Sequence, residues 1–132
     1  MKEEDHSNTV SSIARMPVPT VNSYEHVSKI AELMANHNIG SVVITRDMEP
    51  VGIVTEKDLV RKIICANRNA GDVVAQEIMT SPLITISSGR TIDEALKIMQ
   101  DNAVRRLIVL KGERMVGLLT ERRLLRAKLG SC

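Results

Sequence analysis

The alternation of apolar and polar positions runs through one programme twice. Val27, Ile30, Ala31, Leu33 and Met34 fall on one face of a helical period, as do Ile92, Ala95, Leu96, Ile98 and Met99. Thr91 with Glu94 three residues on reads as a capping box that starts the second of these helices. Each helix is preceded by a short extended piece containing Pro and Thr, Pro17 to Val21 and Pro82 to Ile86. Each is followed by two apolar runs of strand length, Ser41–Thr45 with Val51–Val54 and Arg106–Leu110 with Met115–Leu119. Continuous Val/Ile/Leu runs predict strands covered on both faces. Asp47–Pro50 and Lys111-Gly112-Glu113 read as the turns between them, and closing helices run from Glu56 to about Ala66 and from Glu121 to about Leu129. The predicted order is βαββα, twice.

A shift of 65 residues lays the second half on the first without a gap, with Gly52 on Gly117 and Val51 on Val116. In the same register Ile13 meets Ile78, Pro17 meets Pro82, Thr20 meets Thr85, Met34 meets Met99, Thr55-Glu56 meets Thr120-Glu121 and Leu59 meets Leu124. The chain is therefore a duplication. The expected division is residues 10–66 for the first repeat, 67–74 for a polar linker and 75–132 for the second repeat. A repeat of about 50 residues cannot cover its sheet alone. The expected fold is α/β (α+β), with two βαββα repeats packed sheet to sheet about a pseudo-two-fold axis and clefts between them.

Composition narrows the class. The 132 residues include one Tyr and no Phe or Trp, so the core must be aliphatic and aromatic stacking of a bound base is almost unavailable. Cys65 and Cys132 form no CxxC, and His6, His26 and His37 lack metal-ligand spacing, which predicts reduced thiols and no metal site. No stretch resembles a signal peptide or a membrane span, so a soluble cytoplasmic protein with no membrane partner is expected. Residues 1–66 carry 7 basic and 9 acidic groups, net −2, and residues 67–132 carry 11 and 7, net +4. The polar residues 1–8 are expected to be disordered or to pack on the partner.

Two motifs sit at the same place in each repeat, Val51-Gly52-Ile53-Val54-Thr55-Glu56-Lys57-Asp58-Leu59 and Val116-Gly117-Leu118-Leu119-Thr120-Glu121-Arg122-Arg123-Leu124. With Ile39-Gly40-Ser41 and Val104-Arg105-Arg106-Leu107 entering the preceding strands, the chain resembles the CBS-domain family over roughly residues 10–129. The resemblance implies a stand-alone tandem pair (a Bateman module) that is not an enzyme. It implies a regulatory sensor of an adenosine-containing ligand such as AMP, ADP or ATP, bound in the cleft between repeats. It also implies a flat homodimer and, in the absence of an attached output segment, an unknown protein effector. Whether Mg²⁺ accompanies ATP stays open.

Physical chemistry makes the same residues plausible. Thr55 and Lys57 sit where a strand becomes a helix N-terminus, a favourable place for phosphate. Asp58 is an acceptor-only carboxylate suited to a ribose diol, the role its family counterpart takes. Pro19 and Ile39 match base-lining positions, and the Gly40 backbone is free to approach closely. Arg105 and Arg106 match positions from which family members reach phosphates, and Arg122 with Thr120 is the counterpart of Lys57 with Thr55. Arg123 replaces Asp58 in the second copy and cannot accept from a diol, so one good nucleoside site per chain is expected. Thr55-Glu56-Lys57-Asp58 is equally a capping box that needs no ligand. The basic second half leaves a nucleic-acid-binding or protein-interaction module as the alternative. No P-loop, nucleophile elbow or HExxH supports catalysis.

Overall fold

The computed structural model describes residues 9–12, 14, 19–81 and 83–129. Pro17, Pro82, Ile13, Cys132 and residues 1–8 lie outside them. Two compact units form: residues 19–83, and residues 84–129 together with 9–12.

In the first unit, β1 (Thr20–Asn22) lies parallel to β2 (Ser41–Arg46), which pairs antiparallel with β3 (Glu49–Thr55). Helix α1 (Val27–His37) buries Val27, Ile30 and Met34 against Val42, Ile44 and Val54 of the sheet. Asn38 ends α1 in the left-handed conformation at φ 54°, one of the few non-glycine residues that tolerate it. Val43 and Ile53 are buried as well, so β2 and β3 have no solvated face, as their unbroken apolar runs predict. Helix α2 (Glu56–Leu59) continues as a π-helical turn over Val60–Ile64, after which a 3₁₀ turn (Ala70–Asp72) leads to α3 (Ala75–Ile78).

The second unit repeats the plan. Strand β4 (Thr85–Ser87) lies parallel to β5 (Arg106–Lys111), which pairs antiparallel with β6 (Arg114–Thr120). Helix α4 (Ile92–Asn102) covers the sheet with Ile92, Ala95 and Met99, and α5 (Glu121–Leu129) closes the unit through Leu124.

Both hairpins are tighter than the turn residues suggest. Asp47 and Met48 alone connect β2 to β3, both at positive φ, the backbone that matches strand twist. Pro50 is already in β3, beside a bulge at Val51 that recurs at Val116 in β6. In the second hairpin Gly112 takes the positive φ of 67°.

Each unit is completed by a segment that precedes the other repeat's first strand. Ala75 and Ile78 enter the first core, and Val10, in the 3₁₀ turn Val10–Ser12, enters the second. The bridges His26–Val74 and Thr9–Thr91 correspond under the 65-residue offset. So do the bonds Ala75 N–H to Glu25 O (2.8 Å) and Val10 N–H to Arg90 O (2.9 Å).

Candidate functional site

The two junctions where the last strand becomes the closing helix share a backbone and differ in side chains. In the first, Thr55 leaves β3 extended and caps α2: its hydroxyl accepts from the Asp58 N–H at 3.2 Å. Its own N–H donates to Asp58 Oδ2 at 2.9 Å, and its hydroxyl lies 3.2 Å from the same oxygen. The capping box expected from the tetrad is thus complete.

The carboxylate does more than cap. Asp58 is only 8% exposed, and a buried charge is tolerated only when paired and hydrogen-bonded. Its second oxygen, Oδ1, faces the Lys62 ammonium at 3.1 Å and receives the Thr80 hydroxyl at 3.4 Å. Lys62 also donates to the Ile78 carbonyl at 2.8 Å. Thr80 arrives from the far side of α3 because it exchanges both backbone bonds with Ile53 of β3, at 3.0 and 2.8 Å. Gly52 permits that approach: a Cβ there would lie 2.5 Å from the Met79 sulfur.

Ile39 and Gly40 lie beside this junction. The Gly40 carbonyl accepts from the Glu56 N–H at 3.1 Å, and a Cβ on Gly40 would come within 2.9 Å of Glu56 Oε1. The Glu56 carboxylate therefore occupies the space over Gly40. Ile39, Gly40, Asn38, Glu56 and Leu59 line a cleft of about 330 Å³ against α1. Lys57 is exposed, and Pro19 is half-buried with its carbonyl on the Val43 N–H at 2.9 Å. The structure thus joins Thr55 to Asp58 and Ile39 to Gly40, but of the predicted site residues only Ile39 and Gly40 line that cleft, and Thr55, Asp58, Lys57 and Pro19 do not.

In the second unit the Arg105 carbonyl accepts from the Glu121 N–H at 2.9 Å, the counterpart of the Gly40 contact. Arg106 stands opposite Thr120 in the β5–β6 ladder, and its Nε is buried without a hydrogen-bond partner among the described residues. The Thr120 hydroxyl accepts from the Arg123 N–H at 3.2 Å. The reciprocal half of the box is missing because an arginine side chain has no acceptor. Arg122 is exposed. Ala127 stands where the first unit has Lys62.

Three participants escaped the reading of the sequence: Lys62, Thr80 and the Glu56 carboxylate. Lys62 was within reach of it, since acid followed by base at i,i+4 is a favourable helical pair. Thr80 carries no local signal, because only the Ile53 bridge brings it near.

The CBS domain model matches residues 10–65 and again 74–130. The chain belongs to the CBS-domain family. Tandem CBS domains form a family of regulatory modules, and the mixed α+β architecture matches solved members. A CBS-domain protein of Burkholderia ambifaria, described as acting in signal transduction, superposes with a TM-score of 0.82 at 27% identity, covering 93% of this chain and 95% of that one. Hypoxic Response Protein I, solved with two coordinated zinc ions, gives 0.75 at 28% identity over 89% of this chain and 97% of that one. An uncharacterised protein of Methanopyrus kandleri is 40% identical over 116 residues, 86% of this chain and 59% of its own length. Two further curated relatives are spanned over 30% and 45% of their lengths. Among the described residues, no helix is long and apolar enough to cross a membrane, and no three His, Cys, Asp or Glu are grouped to hold a metal ion.

Proposed function

We propose that this CBS-domain protein is a non-enzymatic regulatory module that binds an adenosine-containing ligand at the Thr55–Asp58 junction. The observation that carries the reading is Asp58: a nearly buried carboxylate, oriented by Thr55 through two bonds, at the motif position the family resemblance assigns to a ribose diol. Ile39 offers an apolar wall in the cleft next to Glu56, the residue that follows Thr55, and the exposed Lys57 ammonium is available to a phosphate. Pro19 and Gly40 belong to the same proposed site. In the second unit Arg105, Arg106, Thr120 and Arg122 offer cations and a hydroxyl, but Arg123 removes the diol acceptor, so that junction is assigned to an anion alone.

A homodimer is part of the proposal. Val60 and Ile64 are exposed apolar residues at i,i+4 on the first closing helix, and Leu125 and Leu129 repeat them on the second. Duplicated apolar pairs of this kind suit a symmetric contact.

The test is a thermal-shift titration of wild type and Asp58→Ala with AMP, ADP, ATP, S-adenosylmethionine, NAD and guanine nucleotides. A ligand at about 100 times its dissociation constant stabilises the fold by about 2.7 kcal/mol. Adenosyl compounds alone should raise the melting temperature, and Asp58→Ala should weaken the response. No shift with any of them would overturn the reading and turn attention to salt-sensitive nucleic-acid binding.

A further inference from the structure

The acceptor that an adenosyl ligand needs is already engaged. A carboxylate offers about four acceptor directions. On Asp58 two are taken by Thr55, one by Lys62 and one, at the long distance of 3.4 Å, by Thr80. The two oxygens are not equally committed. Oδ2 holds the Thr55 N–H, whose loss would undo the start of α2. Oδ1 is held by side chains only, and the Lys62 side chain is 41% exposed. Oδ1 is therefore the oxygen that a ligand hydroxyl can take.

We propose that Lys62 gates the Asp58 site: its ammonium competes with the ligand for Oδ1 and, until displaced, ties the closing helix to the segment from Ile78 to Thr80. This rests on the reading of Asp58 as the diol acceptor. The ammonium sits between a charged and a neutral acceptor, Asp58 Oδ1 at 3.1 Å and the Ile78 carbonyl at 2.8 Å. Both bonds have an ionised donor, but only the one to Asp58 adds the attraction of opposite charges, so the carboxylate is the anchor. When ligand hydroxyls occupy Oδ1, the ammonium loses that anchor and turns toward solvent. Ile78 then loses a donor and Thr80 loses its side-chain bond to Asp58, leaving the backbone bridge to Ile53 as the remaining hydrogen-bonded tie at Thr80. Ligand occupancy is thereby converted into loosening of the segment from Ile78 to Thr80. The second unit has Arg123 and Ala127 at the two positions, so it cannot build this device, and the response resides in the first unit alone.

The experiment is calorimetric titration of AMP and ATP into wild type, Lys62→Met and Thr80→Val, with amide hydrogen exchange over residues 76–84. Lys62→Met should bind AMP about tenfold tighter, about 1.4 kcal/mol. Thr80→Val, which keeps every backbone bond, should tighten binding by a smaller factor and carries the test if Lys62→Met fails to fold. In wild type the Met79 and Thr80 amides, bonded to Ala75 and Ile53 carbonyls, should exchange faster once AMP is added. In Lys62→Met they should exchange fast without it. Wild-type binding with no gain in either variant would overturn the gate and leave the adenosyl reading intact. Absence of binding to all three proteins at millimolar nucleotide would remove the adenosyl reading and the gate together.

Discussion

A threonine caps both closing helices, yet the two caps are not equivalent residues. Thr55 gives and receives: it accepts from the Asp58 N–H and its own N–H is held by the Asp58 carboxylate. Thr120 only accepts, from the Arg123 N–H. Losing an N-cap hydroxyl costs about 0.5–2 kcal/mol. Thr55→Ala removes both hydroxyl bonds and one of the donors that solvate a buried carboxylate, so its cost should lie near the upper end. Thr120→Ala should lie near the lower end. Urea denaturation of the two variants checks the ordering, and equal losses would show that Asp58 draws nothing from the Thr55 hydroxyl. Thr55 and Asp58 were readable because the tetrad is local and the helix brings i and i+3 together whatever the fold. The Glu56 carboxylate over Gly40 was not, because its position depends on where the β2 entrance lies against α2.

Among elements, the helix starts respond to pH in a definable way. Val74 lacks a side-chain acceptor, so α3 begins on half a box, its N–H held by Glu77 Oε2 at 2.9 Å. At α4 the box is complete, and the Thr91 N–H donates to Glu94 at 2.9 Å. These backbone bonds, with the neighbouring guanidiniums of Arg68 and Arg90 second, hold Glu77 and Glu94 below the ordinary glutamate range. A carboxylate whose folded pKa is depressed contributes stability above its unfolded value, and that contribution is lost as pH falls through the folded value. The urea midpoint of wild type should therefore hold from neutrality down and decline below about pH 4.5, the unshifted value. The Glu77→Gln, Glu94→Gln double variant should decline less steeply. Both groups are exposed, so the difference is small, and parallel acid limbs would refute the assignment. The Thr91–Glu94 box was readable from spacing alone. The two-residue hairpin was not: Asp47 and Pro50 both carry turn chemistry, and only the bulge at Val51 decides that Pro50 joins the strand.

At the scale of the whole chain, duplication is plain in the sequence but the partition of flanking segments is not. A 65-residue offset relates the side chains, and it also relates the bonds by which each flanking segment docks. Nothing in the periodicity of residues 9–12 or 74–78 says which sheet they complete, because segments of four or five residues are too short to show a period. Burial decides it: Val10 is fully buried with Ile86, Ile92 and Leu119, and Ile78 is 1% exposed with Val42, Val54 and Ile63. Val10→Ala should cost about 1.5–3 kcal/mol, the transfer energy of the lost methyl groups plus an unfilled cavity. Because Val10 serves the β4–β6 core, native-state hydrogen exchange should show the loss there first, while the β1–β3 amides keep their protection. Ile78→Ala should produce the mirror result. Equal loss in both sheets would mean that the two units open together as one cooperative body. A change in stability of under about 0.5 kcal/mol, the range of ordinary surface substitutions, would mean that Val10 is not part of the second core.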